Sequence, residues 1–167
     1  MPTSSPVEAR LSDMERSLLQ EAADIAVQCA QAGNHPFGAL LADRDGTVLL
    51  RAGNNWQSDR GIGHAELCLA REAAQRYTPE FLRHCTIFTS VEPCCMCAGG
   101  IYWAGIGRVV FGMSEERLAS VAGDNPENLT LALPCRQVFA AGRREISVVG
   151  PISDMEDDIA QAHQGFW

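Results

Sequence analysis

Three side chains and a carboxylate stand at spacings that could bind and use a metal ion. Cys94 and Cys97 lie within Thr89-Ser90-Val91-Glu92-Pro93-Cys94-Cys95-Met96-Cys97, and His64-Ala65-Glu66 lies about thirty residues upstream. Two thiolates and a neutral imidazole suit Zn²⁺, leave it formally neutral and keep one tetrahedral position open for water. A carboxylate beside such a site can move protons to and from that water. Cys94 and Cys97 are one helical turn apart, so a helix start brings both thiols to one ion, and the positive end of the helix favours thiolates there. His64 and Glu66 need a different geometry, because positions i and i+2 of a regular helix point about 200° apart. His64 is therefore expected at or before the first turn of its helix, with Gly61 and Gly63 bending the chain into it.

Competing readings exist. Cys68, one turn after His64, would complete a closed Cys₃His structural site, which makes no use of Glu66. A structural zinc module binding a partner is thus the non-enzymatic alternative. Cys95 points about 100° away from Cys94 and has the wrong spacing for the same ion. Cys29, Cys85 and Cys135 sit in apolar stretches and read as packing. His35 and His163 are expected at the surface or in loops, with a pocket-lining role as the alternative, and His84 in a turn.

The elements that must position these groups follow from periodicity. Residues 1–10 are polar and proline-containing, a loose tail. Ser12-Asp13-Met14-Glu15 reads as a capping box opening a helix that ends near Gly33, with Met14, Leu18, Ala22, Ile25 and Cys29 as its apolar stripe. A hairpin covers 37–54, its first strand apolar enough for burial on both faces. A loop from Asn54 to Gly63 delivers the chain to a helix reaching Arg76. Strands at 86–89 and 108–111 flank a helix of small residues at 97–104. The stretch 114–133 is ambiguous, Pro134 begins a short helix through Val138, and 146–149 is a last strand. Ser153-Asp154-Met155-Glu156 repeats the capping-box pattern before a C-terminal helix and the aromatic end Phe166-Trp167. The order predicts one α/β domain over 1–167, a mixed five-stranded sheet in a three-layer α/β/α sandwich, with 151–167 as C-terminal helix and tail.

Composition narrows the function classes. The 167 residues are 46% hydrophobic, enough for a core without metal or disulfides, so a metal would serve function. The formal charge is −8 and the arginines are scattered, which argues against a polynucleotide surface. No stretch approaches the roughly 20 apolar residues of a membrane span. Seven cysteines and a start without an apolar run place the expected protein in a reducing cytoplasm.

The chain resembles the cytidine-deaminase-like zinc hydrolases, in the branch of guanine deaminases, nucleoside deaminases and tRNA adenosine deaminases. The resemblance rests on His35-Pro36-Phe37-Gly38-Ala39, Asn54, His64-Ala65-Glu66, Thr89-Ser90-x-Glu92-Pro93-Cys94-x-x-Cys97-Ala98-Gly99 and Trp103-Ala104-x-x-x-Arg108-Val109-Val110-Phe111-Gly112. His-x-Glu followed by Pro-Cys-x-x-Cys is the signature of zinc enzymes that deaminate nucleobases. The resemblance implies Zn²⁺ on His64, Cys94 and Cys97, with Glu66 as proton shuttle. It implies that Phe37 packs against the base, the alternative being strand core. Asn54, or its neighbour Asn55, would hydrogen-bond the base or sugar, and the Ala65 N–H would meet the ring. Trp103 would wall the pocket or anchor a dimer and the core.

Two departures bear on substrate. Arg60-Gly61-Ile62-Gly63 replaces the family's Asp-Pro-Thr-Ala, and a segment with Asp124 stands where guanine deaminases carry an acid that helps select guanine. The terminal Trp167 would cap an active site, a neighbour's in a homodimer or its own. The resemblance thus implies deamination of a purine base or nucleoside, guanine to xanthine and ammonia first. A nucleoside deaminase acting on guanosine, cytidine or a modified base is the alternative, and a tRNA adenosine deaminase stands behind both.

Overall fold

The structure, a computed structural model, describes residues 10–167, so the expected tail lies outside the described residues except for Arg10. Helix α1 (Asp13–Gln31) starts at the expected capping box: Ser12 Oγ accepts from the Glu15 N–H at 3.2 Å and Glu15 returns a carboxylate to the Ser12 N–H at 2.9 Å. Its buried stripe is Leu18, Leu19, Ala22, Ala23 and Ala26, so Met14 is left exposed at one end and Cys29 half-buried at the other. Strands β1 (Gly38–Ala42) and β2 (Val48–Gly53) form the antiparallel hairpin, and every residue of β1 is buried.

The stretch read as a loop after Asn54 is partly helical, with α2 (Trp56–Asp59) and a 3₁₀ turn at Arg60–Ile62. Then come α3 (Ala65–Arg76), α4 (Pro79–Leu82), β3 (Thr86–Val91), α5 (Cys95–Ala104) and β4 (Arg108–Met113). The ambiguous stretch contains α6 (Glu115–Ala122), whose first turn is capped by Ser114 Oγ on the Arg117 N–H at 3.1 Å. Helix α7 (Cys135–Ala140), strand β5 (Ser147–Val149) and helix α8 (Glu156–Gln161) complete the described elements.

The second expected capping box does not open α8. That helix begins at Glu156 with Met155 at its N-cap, and the Glu156 carboxylate instead accepts from the N–H and hydroxyl of Ser114, at 3.2 and 3.4 Å. A residue expected to cap its own helix therefore caps the entrance of α6.

The sheet order is β2-β1-β3-β4-β5, antiparallel on the β2-β1-β3 side and parallel from β3 to β5, as expected wherever a helix intervenes. Alternate strand residues feed two cores. Ala39, Leu41, Ile87, Val109 and Phe111 meet α3, α5 and α7, while Leu40, Ala42, Phe88, Val110 and Met113 meet α1, α6 and α8. This is the three-layer α/β/α sandwich with a mixed five-stranded sheet. No helix among the described residues is long and apolar enough to cross a membrane.

One edge of the sheet collects the chemistry. Because β1 runs against both β2 and β3, its start lies beside the ends of β2 and β3, and the parallel β4 ends there too. Phe37, Asn54, the Cys94 turn and Glu115 follow or precede those four strand ends. The carboxyl ends of parallel strands beside a change of direction are where α/β sheets bind ligands.

Candidate active site

Cys94 is the N-cap of α5 and Cys97 lies in its first turn, so the helix start presents both sulfurs together. His64 is the N-cap of α3 in extended conformation, as the i, i+2 geometry required, and Glu66 follows in the first turn. His64 Nδ1 stands 3.5 Å from Cys94 Sγ and 3.6 Å from Cys97 Sγ, and these three ligand atoms all lie within 4.8 Å of one another. A tetrahedral zinc with ordinary Zn–S and Zn–N bonds requires ligand-to-ligand edges of about 3.6 Å. The residues fit the ion.

The electrostatics agree. Hydrogen bonding from Cys97 and His64 pulls the Cys94 thiol down to about 4, while the Cys97 thiol, donating to Cys94 and buried, is raised well above its ordinary value. The thiolate beside His64 raises the imidazole's pKa against the effect of burial. A single negative charge already resides on the pair before any cation arrives, and metal binding displaces the remaining protons. Cys68 lies outside the cluster, so the closed Cys₃His site is not assembled, and Cys95 is likewise not part of it. Burial pushes Cys85 up to about 11 and Cys135 up to about 12, as inert packing residues should be.

Glu66 is buried, and that burial raises its pKa. Its Oε1 is 2.5 Å from Thr89 Oγ1, which is also 3.1 Å from the carbonyl of Val91. A hydroxyl has one proton to give and two lone pairs to receive with. An ionised Glu66 accepts the Thr89 proton. A protonated Glu66 donates to Thr89, which then donates to Val91. The same hydroxyl thus holds the carboxyl in place in both protonation states, leaving Oε2 for a reacting group.

Two further carboxylates stand close by. Glu92 is buried and accepts from the Glu115 N–H through Oε2 at 3.2 Å and from the Cys135 N–H through Oε1 at 3.1 Å, tying the starts of α6 and α7 to the cysteine turn. Glu115 is half-buried, and burial with the nearby Cys94, Glu66 and Glu92 charges pushes its carboxyl up to about 7. Periodicity gave no cue to either residue. Glu92 was visible only as part of the motif, and Glu115 lies in the stretch left ambiguous.

Phe37 packs on both cores while part of its ring stays exposed, parallel to His64 at 6.5 Å. Asn54 is buried, its Oδ1 accepting from the N–H groups of His35 at 3.2 Å and Trp56 at 2.9 Å, whereas Asn55 bonds Asp59 on the outer side of the turn. Ala65 is fully buried in the first turn of α3, where a helix N–H has no intrahelical partner.

The structure does not bring Trp103 or Asp124 into this group. Trp103 is 77% exposed and lines an open depression of about 480 Å³ with Ile62, Leu67, Cys68 and Gly100. Asp124 is exposed, and Glu127 of the same segment, itself exposed, places its carboxylate 2.9 Å from the buried His35 Nε2.

His35 and His163 are not surface residues. Both are buried, and burial lowers the pKa of each, that of His163 to about 4. His35 stacks on Trp56 at 4.3 Å and meets the edges of Phe166 and Trp167. Trp167 also lies 6.1 Å from Phe37 and donates its indole N–H to His163 Nδ1 at 3.2 Å. The tail that the resemblance offers to a neighbour is thus folded back on its own domain, after a turn through Gly165 at φ +72°.

Comparison with known proteins agrees with this geometry. Residues 12–113 match the model of the cytidine and deoxycytidylate deaminase zinc-binding region. The chain is 36% identical over 157 residues to a probable cytosine deaminase of Schizosaccharomyces pombe, covering 94% of each chain. It is 36% identical over 109 residues to a guanine deaminase of Bacillus subtilis, covering 64% of this chain and 69% of that one. The fold superimposes on a guanine deaminase from Nitrosomonas europaea with a TM-score of 0.73 at 18% identity, covering 99% and 95% of the two chains. With the ligand triad, the buried Glu66 and this match in hand, the chain belongs to the cytidine and deoxycytidylate deaminase family and is a zinc-dependent hydrolytic deaminase.

Proposed function

We propose that the protein deaminates a free nucleobase, guanine to xanthine and ammonia first. The observation that carries this reading is the aromatic lid: Trp167 and Phe166 close on His35 and Phe37 beside His64, leaving a flat ring as the natural occupant and opposing a ribose or a polynucleotide. Zinc held by His64, Cys94 and Cys97 would supply a water activated at neutral pH. Glu66 would take a water proton at Oε2, pass it to the ring nitrogen beside the amino-bearing carbon, and carry the second proton to the departing amine. Thr89 keeps Oε1 fixed throughout. Water and the amino base become the carbonyl base and ammonia.

The guanine reading is supported by the Bacillus subtilis relative and by the carboxylate of Glu127, which, in place of Asp124, offers an acceptor to the ring N–H groups of a purine. Phe37 would stack on the base, Asn54 and the Ala65 N–H would hold its edge. Cytosine is the second reading, favoured by the Schizosaccharomyces pombe relative that spans 94% of both chains. Ammonia release from guanine, cytosine, adenine, guanosine and cytidine decides between them. Turnover confined to a free base is the expected result, and preference for a nucleoside contradicts the lid.

The surroundings extend the reading. Seven free cysteines suit a reducing cytoplasm. Trp103 and Ile62, 77% and 66% exposed around one depression, suit a homodimer contact rather than a pocket wall.

A further inference from the structure

His163 takes no part in the ligand triad or in the proton path of Glu66, yet it is 1% exposed. Its Nδ1 receives the Trp167 indole N–H at 3.2 Å. An indole nitrogen only donates, so Nδ1 must carry the lone pair. With burial and the neighbouring His35 lowering its pKa to about 4, the ring is neutral near pH 7 and its one proton sits on Nε2. That Nε2–H is buried and has no partner among the described residues. Buried N–H groups without an acceptor are rare in folded proteins, which marks this one as waiting for an acceptor from outside the chain.

Its surroundings say where that acceptor comes from. The His163 ring meets Phe37 edge to face at 5.1 Å, and Phe37 lies parallel to His64 at 6.5 Å, so a single aromatic ring links His163 to the metal site. The segment that sends Glu127 to His35 carries two more unpartnered buried polar atoms, Asn128 Nδ2 and Thr130 Oγ1.

We propose that His163 is a substrate-recognition residue whose Nε2–H binds a ring carbonyl oxygen of the nucleobase, held in that tautomer by the C-terminal Trp167. The inference rests on the free-base reading above. Guanine and cytosine both carry such a carbonyl, adenine does not, and a buried donor left unpaired is a strong device for rejecting the analogue without it. Trp167 acts as a positioning residue: it fixes which nitrogen holds the proton.

The test compares guanine with 2-aminopurine, which keeps the amino group but lacks the carbonyl oxygen, in zinc-loaded wild type, His163→Phe and His163→Gln. Cytosine and 4-aminopyrimidine replace that pair if cytosine is the base turned over. His163→Phe is expected to raise KM for the carbonyl base roughly ten- to hundredfold with kcat changed less than about threefold, and to leave the carbonyl-free base unaffected. His163→Gln, which keeps an N–H donor, recovers part of the loss. Equal losses on both bases, or a loss in kcat alone, overturn the proposal.

Two measurements separate this from failure of the deaminase reading. Nitrogen-15 spectra of the histidine rings at pH 7 should show His163 protonated at Nε2 in the wild type and released from that state in Trp167→Phe; protonation at Nδ1 in the wild type overturns the proposal. Should neither base release ammonia, the proposed reaction fails, and calorimetric binding of the same pair decides His163. Carbonyl-dependent binding lost in His163→Phe supports it, and binding that is absent or indifferent to the carbonyl overturns it.

Discussion

A single hydroxyl, that of Thr89, serves Glu66 in both of its protonation states, which suits the proton-carrying role proposed for it. Removing the hydroxyl should therefore damage turnover more than binding. Thr89→Val is expected to lower kcat about tenfold with KM within about threefold and zinc retained, and Thr89→Ser to restore it. Steady-state kinetics with metal analysis checks this, and an unchanged kcat in Thr89→Val would sink the positioning role. The metal triad shows the same economy. Cys94 and His64 are both N-caps, positions where a side chain leaves the helix axis, so ligands from two helices reach one point. Spacing made the set plausible, and the family resemblance assigned His64 as the ligand. Glu127 was hidden, because it meets His35 across 92 residues of chain in a segment with no periodic signal, whereas His163 was legible only as a residue with a pocket-lining alternative.

Elements are coupled to the site by buried carboxylates. Glu92 accepts from the first residues of both α6 and α7, where the helix dipole adds to each hydrogen bond. Glu92→Ala leaves one buried and one partly buried N–H without an acceptor and is expected to cost about 2 kcal/mol, read as a lowered midpoint in denaturant unfolding. Zinc content should survive, since Cys94 and Cys97 are placed by α5 itself. Gly38 couples β1 to α1 in another way. A Cβ there would lie 2.3 Å from the Ala22 carbonyl oxygen and 2.7 Å from the Ala26 nitrogen, so Gly38→Ala must push the helix off the sheet beside Phe37. The long elements were legible because each has a wide apolar stripe or an all-apolar run. Helix α2, with no buried residue, and α6, with Leu118 and Ala122 as its buried ones, offered too little pattern to read. The same sparseness let Glu156 be taken for the cap of its own helix.

For the molecule as a whole, buried titratable groups tie stability to pH. His163 takes up a proton near 6.5 when unfolded but only near 4 when folded, so between these values the unfolded chain binds more protons and stability falls as pH drops. At about 1.4 kcal/mol per pKa unit this is on the order of 3 kcal/mol across the window. Glu115, raised to about 7, works in the opposite sense in metal-free protein: the folded chain holds its proton longer, and stability falls as pH rises from the ordinary carboxylate range toward 7. The His163 contribution is accordingly the difference between wild type and His163→Gln. That difference in melting temperature should open between pH 6.5 and 4, and a constant difference would contradict a neutral, buried His163.

We propose that His64, Cys94 and Cys97 hold zinc while Glu66, outside the ligand set, moves the protons. Bound zinc per chain and ammonia release, measured together in wild type and Glu66→Gln, test it most directly. The expected result is about one zinc per chain in both proteins, with turnover in the variant reduced at least roughly a thousandfold. A zinc-loaded Glu66→Gln variant that still releases ammonia within tenfold of the wild-type rate would remove Glu66 from the proton path.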